Sequence, residues 1–136
     1  MALIGGAGNV AGGANPSGVG TSLNYVGDHC YAYSGLIATD NVEQTFLDFT
    51  TSNTYVMSKI QWYSPEASTN NYELKVKINS EIVVASEVFQ ITATNPTGYS
   101  PIEILLPPYS RVEITLINTE TADSRSSAII LTGRVY

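Results

Sequence analysis

From residue 29 onward, apolar and polar residues alternate with a period of two, and turn-forming residues recur about every eight to twelve positions. In the stretch YELKVKI, Tyr72, Leu74, Val76 and Ile78 alternate with Glu73, Lys75 and Lys77, so one face points inward and the other is wet. Ile102, Ile104 and Leu106 repeat the pattern, as do Val112, Ile114 and Leu116. The pattern predicts strands over residues 29–38, 43–51, 54–63, 71–78, 82–89, 101–106, 111–118 and 126–136. No segment carries the periodicity of an amphipathic helix, and no internal repeat suggests a propeller or solenoid. Eight antiparallel strands without helices predict an all-β, jelly-roll-like β-sandwich.

Two turns refine this expectation. If Asn79, Ser80 and Glu81 form a three-residue loop, Ile78 faces Ile82 and Val76 faces Val84, which keeps apolar residues paired. A two-residue loop would instead set Ile78 against Glu81. Pro107 and Pro108 cannot donate to a ladder, so they end one strand, and Tyr109 and Ser110 begin the turn to the next.

Composition divides the chain near residue 27. Eight of the eleven glycines lie in residues 1–27, and no charged residue precedes Asp28. Residues 1–27 therefore read as an extended N-terminal arm, and residues 28–136 as the sandwich domain. Glycine loses the most backbone entropy on ordering, so the arm is expected to need a neighbouring chain to hold it.

Charge narrows the range of partners. Charged residues make up 13% of the chain, about half the ordinary share, and twelve acids against six bases give a net charge of −6. A surface of Ser, Thr, Asn and Tyr suits contact with other protein, and an uncharged monomeric coat is the alternative. The first base is Lys59, and only Lys75 and Lys77 are close neighbours, so no nucleic-acid partner is expected. MALIGGAGNVAGG lacks a basic n-region, and no run of 18 apolar residues occurs, so neither a signal peptide nor a membrane helix is expected.

The candidate chemistry is sparse. GDHCYAYSG holds the only histidine, His29, beside the only cysteine, Cys30. Adjacent residues on a strand point to opposite faces, so the two diverge and form neither a catalytic pair nor a zinc site. Asp28, Asp40 with Asn41, and Asp123 fall in or near turns, where such residues shape backbone; a calcium site built from them is the functional alternative. No spacing among the twelve acids selects a glycosidase pair. Trp62 shares a face with Val56 and Ile60, which assigns it to the core rather than to a sugar-binding surface. No catalytic, cofactor-binding or metal-ligating residue is assigned.

The run NPSGVGTSLNYVGDHCYAYSG, the segment LPPYSRVEITLIN and the terminal TGRVY resemble small jelly-roll head decoration and minor capsid proteins of tailed phages. The likeness covers both ends of the chain and is weaker over residues 39–100. It implies a non-enzymatic virion protein on the capsid surface, a homo-oligomer with a trimer preferred, fastened to the capsid shell protein through its arm. A carbohydrate-binding or host-adsorbing fibre or spike module is the alternative, and a hydrolase with an unrecognised carboxylate pair is a further rival.

Overall fold

The computed structural model describes residues 22–63, 71–89, 101–119 and 125–136. Residues 1–21 of the arm, and Asp123, lie outside the described residues. Ten strands are described: β1 (Asn24–Val26), β2 (His29–Tyr33), β3 (Ile37–Thr39), β4 (Gln44–Thr50), β5 (Val56–Tyr63), β6 (Asn71–Ile78), β7 (Glu81–Phe89), β8 (Ile102–Leu106), β9 (Arg111–Asn118) and β10 (Arg125–Val135). They form two antiparallel sheets. The front sheet runs β1-β2-β10-β5-β8, with β3 also paired to β10, and the back sheet runs β4-β9-β6-β7.

All eight runs read from the alternation are strands, and the first is divided in two. Ser34 causes the division. Its backbone N–H still donates to the carbonyl of Ile129 at 3.1 Å. Its hydroxyl accepts the Ile129 N–H at 2.9 Å and donates to the Gly35 carbonyl at 2.8 Å, so a side chain fills a rung of the ladder. Gly35 turns through a φ of 73°, a conformation that favours glycine, and the chain rejoins β10 as β3. The tenth strand, β1, pairs with β2 through Tyr25 and Cys30. It lies inside the residues read as arm, and Leu23 before it is buried in the core, so the sandwich begins ahead of the boundary drawn at residue 27.

The β6–β7 turn departs from the expected three-residue loop. Ile78 pairs with Glu81, leaving a two-residue turn at Asn79 and Ser80, whose φ values are 51° and 71°. Positive φ at both central positions matches the twist of a hairpin. A bulge then shifts the register between Val76 and Lys77, so Val76 still faces Val84. Of the two apolar pairs that motivate the longer loop, Val76–Val84 is therefore kept, whereas Ile78 faces Glu81 and Ile82 faces Lys77.

The inner faces meet in a single core. Ile60, Trp62, Ile129 and Leu131 of the front sheet lie over Tyr72, Leu74, Ile114 and Leu116 of the back sheet, all at most 1% exposed. Trp62 and Tyr72 touch with ring centroids 5.1 Å apart, tilted by 41°, as aromatic pairs prefer. At the far end Thr51 holds the Pro107–Ser110 turn. Its hydroxyl donates to the Pro107 carbonyl at 2.6 Å and accepts the Ser110 N–H at 2.9 Å, while its N–H donates to the Ser110 carbonyl at 2.9 Å.

Packing is close at Gly133 of β10. A Cβ there would lie 2.8 Å from Val56 Cγ1, 2.9 Å from the Met57 carbonyl oxygen and 3.2 Å from Cys30 Sγ. Gly133→Ala is expected to cost about 1–3 kcal/mol in urea denaturation, because a backbone atom must move. An unchanged midpoint would mean that β5 shifts freely. Ser80→Gly is expected to gain up to about 1 kcal/mol by relieving the left-handed turn position.

Candidate functional site

The two outer faces of the sandwich differ in how their charges are satisfied. On the back sheet every charged side chain of the central rows has a partner. Arg111 of β9 donates from Nε to Asp48 Oδ1 at 3.0 Å and from Nη2 to Asp48 Oδ2 at 2.8 Å, a two-pronged contact, and Nη2 lies 3.6 Å from Glu113. Lys77 reaches Glu43 at 3.1 Å, and Lys75 bridges Glu43 at 3.6 Å and Glu73 at 3.5 Å. The expectation that Lys75 and Lys77 face outward is met, with each engaged by carboxylates.

On the front sheet the pairing is partial. Arg134 of β10 reaches Asp28 at 3.2 Å and lies over the Tyr136 ring at 5.7 Å, and His29 Nε2 sits 3.2 Å from the other Asp28 oxygen. Lys59 of β5 and Glu103 of β8 are opposed across the strands, and both are exposed. Among the described residues neither makes an ion pair within 4.0 Å. Met57 pairs with Leu105 in the next row, each 45% exposed. Over these rows lies a groove of about 380 Å³ lined by Met57, Lys59, Glu103, Thr132, Arg134 and Tyr136. On the same face Tyr31 and Tyr33 of β2 hold their rings 5.0 Å apart.

His29 and Cys30 take opposite sides of β2, as alternation requires. His29 is exposed, whereas Cys30 is 2% exposed beneath Gly133. Burial pushes the Cys30 thiol up to about 12, so it stays protonated and a poor nucleophile at neutral pH. Trp62 is in the core, 1% exposed. Asp40 accepts the Val42 N–H at 2.9 Å and shapes its own turn. Asp28 adjoins Arg134, whereas Asp40 follows Thr39, the partner of Arg125 at the other end of β10. At about 3.3 Å per residue the two acids are roughly 30 Å apart, so they share no calcium ion. No group of three or more His, Cys, Asp or Glu among the described residues could hold a metal ion.

The groove is not marked in the sequence, because its rows join residues 44 to 48 and 73 to 77 positions apart. A partial signal is present in MSKIQWY, where Met57, Lys59, Gln61 and Tyr63 alternate with buried positions.

No family model matches the chain, and no curated protein matches it. Solved structures do. A structure of infectious bursal disease virus Gx strain aligns with a TM-score of 0.50 and 11% identity over 79% of this chain and 32% of that one. A family 35 carbohydrate-binding module from Clostridium thermocellum aligns with 0.47 and 13% identity over 81% and 85%. The Podospora anserina GH26-CBM35 β-(1,4)-mannanase aligns with 0.46 and 20% identity over 67% and 19%. The chain thus spans under two thirds of the virus and mannanase chains. At 11% identity the likeness to the viral structure shows the fold alone, a jelly-roll sandwich.

Electrostatics of the back face set a pH dependence. The hydrogen bond from Arg111, aided by its charge, outweighs burial and holds the Asp48 carboxyl below its usual range. Burial would raise Glu43, but the hydrogen bond from Lys77 and the charges of Lys77 and Lys75 bring it lower. A carboxyl lowered by folding adds stability that is complete above its ordinary value and is lost as the pH falls through the folded value. The thermal midpoint is therefore expected to fall on acidification below about pH 4.5. In Arg111→Gln the fall should be shallower, because Asp48 then loses the hydrogen bond and charge that lower it; an equal slope would remove that pair from the account.

Proposed function

We propose that this chain is a non-catalytic structural protein of a virus particle, a head decoration or cement subunit of the tailed-phage kind. It self-associates through its sandwich and fastens to the shell through its N-terminal residues. The observation that carries this reading is the contrast between the two faces. The central rows of the back face complete their own ion pairs, and its exposed apolar residues Ile82 and Val83 lie on the edge strand β7. The front face offers Tyr31, Tyr33, Met57, Tyr63, Leu105, Arg134 and Tyr136, side-chain types that protein contacts favour. The opposed thiol and imidazole, and the protonated state of the thiol, support a non-catalytic role.

A second reading, carbohydrate binding, is supported by the Tyr31–Tyr33 pair, whose neighbouring rings can stack on a sugar beside the Arg134 guanidinium. Retention of the protein on a glycan array, lost in Tyr31→Ala with Tyr33→Ala, would favour it over the structural role.

Deleting residues 1–21 tests the structural reading, since Leu23 and β1 then remain in the sandwich. The chain from Ser22 is expected to fold with a thermal midpoint within about 4 °C of the full chain. Its incorporation into particles lacking the protein should drop. Full occupancy by the shortened chain would place the fastening surface on the sandwich, and outright unfolding would make residues 1–21 part of the fold.

A further inference from the structure

We infer that the β5–β8 half of the front face is a two-fold contact between copies of this chain, in which Lys59 of each copy meets Glu103 of the other. The inference rests on the structural reading above and names the partner of that surface.

The argument begins with register. Lys59 stands opposite Glu103, and Met57 opposite Leu105, on adjacent antiparallel strands. A two-fold axis parallel to these strands, passing between them above the sheet, exchanges β5 of one copy with β8 of the next. It sets Lys59 over Glu103 twice and Met57 over Leu105 twice with no change of register. Two sheets packed in this way lie about 10 Å apart, a separation that these side chains bridge. The surface is its own complement, which is what an isologous contact requires.

Charge selects this occupant. Among the described residues Lys59 and Glu103 make no ion pair within 4.0 Å, whereas Arg134 and the three bases of the back sheet are each engaged. Within one chain an exposed cross-strand pair contributes little. Between copies the same groups are screened from water by Met57 and Leu105, and mismatched charges there oppose association strongly. A three-fold arrangement would set this surface against a different one and lose the reciprocity. The contact therefore favours even-numbered assembly over the trimer expected from the resemblance.

Reciprocity gives a direct test by analytical ultracentrifugation of the full chain. The unsubstituted protein should sediment as a dimer or an even multiple. Lys59→Glu and Glu103→Lys should each weaken association about tenfold or more, because each sets like charges opposed twice. Mixing the two variants should restore association, since one copy then presents two acids and the other two lysines. The double swap should restore it within one chain. Circular dichroism checks that each variant is folded, as expected for exposed positions. Wild-type association in either single variant, no recovery in the mixture, a monomer at tens of micromolar or a discrete trimer would each overturn the contact. Charge-swap behaviour as expected, in a protein absent from particles, would retain the contact and remove the virion role. Incorporation into particles by a protein that fails the swaps would do the reverse.

Discussion

The fold depends on one strand, β10. Its eleven residues pair with β5 along one edge and with β2 and then β3 along the other, so three strands of the front sheet are held through it. Most of these pairings join residues roughly 70 to 100 positions apart, and closing such loops costs entropy before any contact offsets it. Pairing β10 with β2, β3 and β5 is therefore the entropically costly step in building the front sheet. Gly133 is where this constraint is tight, since β10 approaches β5 and Cys30 too closely there for any side chain.

Alternation made the strands legible, because each strand of a sandwich has one dry and one wet face and the sequence records that difference directly. Trp62 reads as core for the same reason. What alternation does not encode is how a rung is completed. Ser34 interrupts the first strand by substituting a hydroxyl for a backbone acceptor, and nothing in SGLIAT separates that from a continuous run. The turn at Asn79 and Ser80 departs from the expected loop although the premise is sound. Apolar pairing does decide register, but a bulge restores it at Val76 and Val84 after a shorter turn, and bulges leave no hydrophobic signature. Tyr25 and its neighbours sit in glycine-rich surroundings that mask a strand of three residues.

The front groove was illegible for a different reason. Lys59 and Glu103 come together only through the pairing of β5 with β8, and Arg134 and Tyr136 reach them only because β10 lies beside β5. Sequence lists these groups without their neighbours. By contrast, the divergence of His29 and Cys30 needs only the geometry of a strand, and the fold places the two on opposite faces.

Seven charged side chains of this sparsely charged chain are engaged with one another on its back face. Asp48, Glu113, Glu43 and Glu73 engage Arg111, Lys75 and Lys77, and each of those contacts is already made before any partner arrives. A satisfied ion pair gains nothing from a newcomer and loses solvation to it, so that face resists burial. Lys59 and Glu103 have made no such commitment, and the apolar side chains beside them are costly to leave in water. The direction in which this sandwich can associate is therefore set by where its charges remain uncommitted, and not by the fold, which presents two sheet faces of the same general form.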